Sequence, residues 1–279
     1  MPPVPSGIRA RISANLDAIR TLHRIEEHGK AATVEEQQIL SRWSSWGAAS
    51  QIFDDSRQDL RDEAAELRSL IGEQAWLAAQ RTVLNAHYTD PAIVAAIWDH
   101  LGDLGFTGGE VLEPGSGSGT FIGLAPRTAR MTGVELDPTT ARISAQLYPA
   151  ATIRTESFAD TPLPEGTFDA VVGNVPFSGA KLHDPVHNLG NHSMHNHFIL
   201  KSLALVKPGG VVAVITSAFT MDAQNPSARR EIAASADFLG AIRLPTGAHR
   251  RTAGTDAVTD VLILRRRDGN PVSVGGAFS

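Results

Sequence analysis

The chain has 279 residues, 42% hydrophobic, 20% charged and 6% aromatic, with 25 Gly, 16 Pro and no Cys, a globular composition that excludes collagen-like and disordered chains. The lack of cysteine excludes disulfides, zinc–thiolate sites, iron–sulfur clusters and thiolate nucleophiles. A formal charge of -5 argues against indiscriminate polyanion binding, and with no run near the ~20 apolar residues of a bilayer span, a soluble cytoplasmic protein is expected.

Residues 1–86 read as helices. Ile8, Ile12, Leu16, Ile19 and Leu22 trace one apolar stripe, and Leu60, Ala64, Leu67 and Ile71 trace another. Thr33-Val34-Glu35-Glu36 has the form of a capping box, which predicts a short helix from there to Trp43. Trp43 and Trp46, before Gly47, are expected to pack this region onto its neighbour, with base stacking as the alternative.

From about residue 87 short β-rich runs alternate with helical segments, the pattern of a parallel sheet covered on both faces. Strands are expected at 109–113, 131–135, 151–154, 168–173, 210–216, 240–244 and 258–264, and helices at 91–104, 120–125, 138–148 and 195–206. Lys207-Pro208-Gly209-Gly210 is expected to stop the last of these helices and turn the chain into the next strand. The last two strands, separated only by 245–257, read as an antiparallel pair. The expected fold class is α/β, a Rossmann-like sheet of seven strands spanning 87–279, preceded by a helical N-terminal extension, 1–86. Residues 218–279 carry 8 basic and 6 acidic groups, so phosphate contacts are expected from Arg250, Arg251 or Arg265-Arg266-Arg267.

Two elements mark a cofactor site. After the first strand comes Glu113-Pro114-Gly115-Ser116-Gly117-Ser118-Gly119-Thr120-Phe121, and the second strand ends in Glu135-Leu136-Asp137. Glycines let backbone approach a ligand at the carboxyl end of the sheet, and the acid suits a ribose diol, devices that nicotinamide and flavin folds share. Here Glu113 stands where a pyrophosphate would be repelled. The turn better suits a ligand with an ammonium and a sulfonium, S-adenosylmethionine.

The fourth strand runs into Asn174-Val175-Pro176-Phe177. With these motifs in this order, the chain resembles the amino-methyltransferases with an Asp/Asn-Pro-Pro-aromatic motif, which act on exocyclic amines of nucleobases or on glutamine amides. Within that group it is similar to the adenine-N6 DNA branch. The likeness is closest to the methylase regions of phage and plasmid methylase–helicase fusion proteins. It runs through Asn15-Leu16-Asp17-Ala18-Ile19, Glu35-Glu36 and Trp46-Gly47, then Asn174 to His195-Asn196-His197-Phe198, and finally Ala253-Gly254-Thr255-Asp256 to Leu262.

The resemblance implies an S-adenosylmethionine-dependent methyltransferase. Its catalytic loop would be Asn174, Val175, Pro176 and Phe177: the Asn174 side-chain oxygen and the Val175 carbonyl accept the amine hydrogens, Pro176 stiffens the loop, and Phe177 stacks on a base flipped from the helix. Glu113, Pro114, Gly115, Gly117, Gly119, Thr120 and Phe121 would form the cofactor turn, and Glu135 with Leu136 would hold the ribose. Tyr88 and Thr89 would close over the methionine end, Thr89 donating to its carboxylate. Ser157 and Phe158 would meet the adenine, Phe158 by stacking. Arg250, Arg251 and His195 are the candidate nucleic-acid contacts.

DNA with a flipped base is the expected partner, together with a helicase or specificity partner. N4 of cytosine is the nearest alternative target, since the same acceptors hold either amine. An RNA-base or protein-glutamine methyltransferase, or a catalytically silent S-adenosylmethionine-binding or DNA-docking module of a defence or anti-restriction assembly, are the other readings. His183, His187, His192, His195 and His197 invite a metal. No carboxylate–histidine framework at helical spacing accompanies them, so a polar loop beside the target pocket is expected, without metal.

Overall fold

The computed structural model describes residues 5–82, 89–247 and 257–269. Helix α1 (Ile8–His28) buries its predicted stripe, with Ile12, Ile19 and Leu22 fully enclosed, and stops at a left-handed Gly29. Helix α2 (Val34–Leu40) opens on the predicted capping box: the Glu36 N–H donates to Thr33 Oγ1 at 3.2 Å and the Thr33 N–H to the Glu36 carboxylate at 3.0 Å.

The helix ends at Leu40, short of Trp43, because the chain turns there to bury both tryptophans. Trp43, Trp46, Phe53 and Trp76 form an edge-to-face ladder with successive centroids 5.6, 5.8 and 4.8 Å apart. A 3₁₀ segment (Gly47–Phe53) and helix α3 (Arg61–Thr82), broken at Gly72, complete the region. Ile143 and Leu147, which lie further along the chain, join this same apolar cluster.

Helix α4 (Pro91–Asp103) begins on an Asp90 cap and leads into β1 (Gly109–Pro114), α5 (Thr120–Gly123), β2 (Ala129–Glu135), α6 (Pro138–Leu147), β3 (Thr152–Thr155) and β4 (Phe168–Asn174). Then follow α7 (Met194–Leu205), β5 (Val206–Ser217), α8 (Phe219–Asp222), α9 (Ser227–Ser235), β6 (Ala236–Arg243) and β7 (Thr259–Arg266). The seven strands form one sheet in the order β3-β2-β1-β4-β5-β7-β6. The first five are mutually parallel, and β7 lies between β5 and β6, antiparallel to both. Apolar side chains cover both faces. Val171, Phe198, Val212 and Leu262 belong to one cluster, and Val94, Trp98, Val111 and Ile263 to the other. The α/β sheet and the antiparallel final pair are as expected.

Three details differ from the expected pattern. β5 starts at Val206, which already pairs with Phe168; residues 207–210 bulge before pairing resumes at Ala170 and Val211, so Pro208-Gly209-Gly210 interrupt the strand instead of preceding it. Helix α9 was not expected, because its buried face is only Ala228, Ile232 and Ala233, too small a stripe to register as periodicity. Helix α8 is a single turn. Among the described residues, no helix is long and apolar enough to cross a membrane.

Candidate active site

The carboxyl ends of β1, β2 and β4 surround a cleft with about 1170 Å³ of empty space, its open mouth included. Gly115, Gly117, Thr120 and Phe121 line it from the first strand-to-helix turn, Glu135 and Leu136 from the end of β2, Ser157 and Phe158 from the segment after β3, and Asn174 and Pro176 from the end of β4. Thr89 and Glu113 reach the same space.

The glycine turn is held from both sides. Gly117 adopts φ +54°, and a side chain there would meet nothing within 4 Å, so its backbone is open to the cleft. Gly119 has a different reason to be glycine: at φ +85° its Cβ would lie 2.6 Å from the Tyr148 ring, so it permits packing and does not line the cleft. Pro114 is likewise buried behind the turn. The Glu135 carboxylate accepts the Gly117 N–H and the Asp137 N–H, both at 2.8 Å. It thereby ties the turn to the β2 rim.

Both acids are driven toward their protonated forms. Burial pushes Glu113, 3% exposed, well above the carboxylate range, against the opposing pull of the Ile122 and Phe121 N–H groups; nearby Glu135 adds to the rise. Burial raises Glu135 to about 7, again against backbone N–H bonds from Asp137 and Gly117. Glu113 Oε2 has no hydrogen-bond partner among the described residues.

On the β4 side, Asn174 Nδ2 donates to Thr89 Oγ1 at 3.1 Å, which fixes the amide's orientation with Oδ1 as its acceptor. Val175 is buried in the sheet core with its N–H on the Ile215 carbonyl at 3.0 Å. Phe177 packs, half-buried, against the opposite apolar cluster and is not among the described residues lining the cleft. Stacking on a target base would require its ring to leave that cluster. Phe158 is buried with Phe198 at 4.8 Å and Lys201 Nζ at 5.1 Å from its ring centre.

His195 is buried, with Nε2 3.0 Å from Ser193 Oγ, and burial lowers its pKa, so it does not stand on a surface that a phosphate could reach. Arg265, Arg266 and Arg267 lie at the amino-end side of the parallel strands, opposite the cleft. There Arg266 and Arg267 donate to the carbonyls of Ala204 and Ala233. Tyr88, Arg250 and Arg251 lie outside the described residues. The sequence reading passed over Ser45, Thr140, Leu182, Met194 and Phe198 and quoted Asp137 without giving it a role, and all six line the cleft. Of these only Asp137, an acid directly before Pro138 at a helix start, carries a local signal.

Residues 112–214 match the family described as a methyltransferase domain. The chain carries a methyltransferase domain. It is 30% identical over 236 residues to the defense against restriction protein B of Escherichia phage P1, covering 77% of this chain and 10% of that protein. It is 31% identical over 215 residues to the type II methyltransferase M.XamI of Xanthomonas campestris pv. amaranthicola, covering 68% of this chain and 39% of that protein. The chain thus spans a minor part of the length of either relative. Among solved structures, the type I restriction-modification system methyltransferase subunit from Streptococcus thermophilus superposes with a TM-score of 0.53 at 17% identity, over 91% of this chain and 66% of that one.

S-adenosylmethionine is the cofactor of this methyltransferase fold, and the residues present fit it. A buried acid with an unpartnered oxygen suits an ammonium, Glu135 suits a diol, and the open backbone at Gly117 suits close approach.

A role for Glu135 toward the ribose would make cofactor binding pH-dependent. Ribose hydroxyls donate to a carboxylate, not to a protonated acid, so binding must first remove the proton that burial favours. Affinity is therefore expected to rise with pH up to about 7, by at most about tenfold per pH unit, and to level off above it. In the ligand-free protein the same shift lowers stability as pH climbs from the ordinary carboxylate range to about 7. Titration calorimetry between pH 6 and 8 checks the binding slope. Glu135→Gln should flatten it, Glu113 supplying any remainder, whereas a wild-type affinity independent of pH would contradict the assignment.

Proposed function

We propose that this chain transfers a methyl group from S-adenosylmethionine to an exocyclic amine of a DNA base, with N6 of adenine as the target. The observation that carries this reading is the shared cleft: Asn174 and Pro176, at the end of β4, line the same space as Gly117 and Glu135. Restriction in the name of the phage P1 protein, and restriction-modification in that of the Streptococcus thermophilus subunit, support DNA as the substrate class.

The cofactor supplies a methyl group on a sulfonium, activated for displacement. Glu113 would hold its ammonium, Thr89 its carboxylate, Glu135 and Leu136 its ribose, and Ser157 with Phe158 its adenine. An aromatic amine is a poor nucleophile because its lone pair is delocalised into the ring. Asn174 Oδ1 and the Val175 carbonyl would hold the two amine hydrogens and so favour the pyramidal nitrogen, with orientation and electrostatics supplying the rate. Pro176 restricts the loop that carries them. The Asn174–Thr89 hydrogen bond links the amine acceptor to the methionine-end donor, so the two halves of the reaction are aligned by one contact. A helicase or specificity partner would supply target selection, and residues 1–86 and 87–279 would act as helical extension and catalytic domain.

Mass spectrometry of nucleosides from DNA incubated with protein and S-adenosylmethionine tests the reading. N6-methyldeoxyadenosine is the expected product, and N4-methyldeoxycytidine would move the target to cytosine. Unmodified DNA alongside methylated RNA or protein would overturn the DNA assignment. Cofactor binding without turnover on any of these would favour a silent docking module.

A further inference from the structure

The N-terminal helices reach the cofactor cleft through a single turn. Ser45 lines the cleft together with Glu135, Leu136, Asp137 and Thr140, and is one of two described non-glycine residues with positive φ, at +52°. A left-handed serine is unfavourable unless its surroundings fix it, and here they do. Asn15, fully buried on α1, spends its whole side chain on this turn: Oδ1 accepts the Ser44 N–H at 2.9 Å and the Ser44 hydroxyl at 3.3 Å, and Nδ2 donates to the Ser45 carbonyl at 2.5 Å.

On the other flank, Trp43 Nε1 donates to Thr140 Oγ1 at 3.1 Å. That hydroxyl and the Thr140 N–H both donate to Asp137 Oδ2, at 2.5 and 2.9 Å, in the cap of α6. The turn is thus bolted to α1 behind and to the β2 rim beside it, and the aromatic ladder supports it from below. Burying a carboxamide to fix one exposed-side serine is a costly arrangement for a connector. It is economical for a wall of a binding site.

We infer that Ser45 is a cofactor-binding residue, holding the ribose–adenine half of S-adenosylmethionine from the side opposite the glycine turn, and that Asn15 is its positioning residue. The N-terminal helices then belong to the cofactor site. The inference rests on the cofactor assignment and is independent of the methyl acceptor, so failure of the DNA reading leaves it standing.

The test is calorimetric binding of S-adenosylhomocysteine and of 5′-methylthioadenosine, which lacks the amino-acid half, with unfolding temperature as the parallel readout. Ser45→Gly keeps the left-handed backbone and removes the hydroxyl; Ser45→Asn also tolerates that backbone and projects a larger group into the cleft. Both variants are expected to keep the wild-type unfolding temperature. Ser45→Gly should weaken both ligands severalfold and equally, and Ser45→Asn more than tenfold. Thr89→Ala should weaken S-adenosylhomocysteine alone. Asn15→Ala should mimic Ser45→Gly at least in direction. Wild-type affinity in both Ser45 variants would overturn the proposal, as would an affinity loss that appears only with a matching fall in the ligand-free unfolding temperature.

Discussion

Asn174→Ala is expected to lower the single-turnover rate of methyl transfer by about 10²–10³-fold, the scale set by removing one preorganised hydrogen-bonding group at a reacting centre. Binding of S-adenosylhomocysteine should change by no more than a few fold, because Asn174 meets the methionine-end residue Thr89 through one hydrogen bond. The alanine removes the oxygen proposed to hold the target amine and also the N–H that orients the Thr89 hydroxyl. Asn174→Asp separates these two losses. Aspartate keeps an acceptor oxygen, and the Thr89 hydroxyl can rotate to donate to it, so this variant should retain more rate than alanine despite the cost of a partly buried charge. Tritium transfer to DNA under single-turnover conditions measures the first quantity and calorimetry the second. A normal rate in the alanine variant would remove the Asn174 loop from the chemistry.

The second large effect is structural. Asp184, 4% exposed, sits between β4 and α7 and accepts from His197 Nε2 at 3.0 Å, with Lys201 Nζ at 3.2 Å and His187 Nδ1 at 3.3 Å. The Val186 and His187 N–H groups also donate to it, each at 3.0 Å. Burial works to raise its pKa, but these hydrogen bonds and the Lys201 charge outweigh burial and hold it below the usual carboxylate range. Burial lowers His197 more than Asp184 raises it, which leaves Lys201 as the buried cation that Asp184 compensates.

Asp184→Ala strands that cation and the His197 ring, so a destabilisation of about 3–5 kcal/mol is expected. That corresponds to a fall in unfolding temperature of roughly 10 °C for a chain of this class. Asp184→Asn, which keeps hydrogen bonds but not charge, should lie between. Because the carboxyl is held low in the folded state, its contribution is present above the ordinary aspartate pKa and is lost as pH falls below it. The effect should extend to the cleft, since Lys201 also donates to the Ala159 carbonyl at 2.9 Å and stands over the Phe158 ring. An unfolding temperature within a degree or two of wild type would show the network to be inert.

How far the sequence carried depended on how local each signal was. The Thr33 box, the Asp137-Pro138 helix start and the glycine turn are written in consecutive residues, and each folds as those residues dictate. The strand order was not legible: nothing within 259–266 says that this segment inserts between two earlier strands, a choice made by long-range pairing. The cleft divides in the same way. Asn174, Glu135 and Gly117 announce themselves by motif, whereas Ser45 reaches the cleft only because a buried asparagine thirty positions earlier bends the chain toward it. Phe177 shows what a motif leaves out: an aromatic next to a reactive motif suggests stacking, and the apolar neighbourhood on the sheet that half-buries its ring is set by long-range packing.

The position of β7 also bears on how the protein is made. Until residues 259–266 leave the ribosome, β5 and β6 have no strand between them, and two apolar ladders are left with open backbone edges. The nascent sheet stays a half-built template until this segment emerges. Premature stops or stalled synthesis ahead of this segment would therefore release a sticky intermediate prone to aggregate.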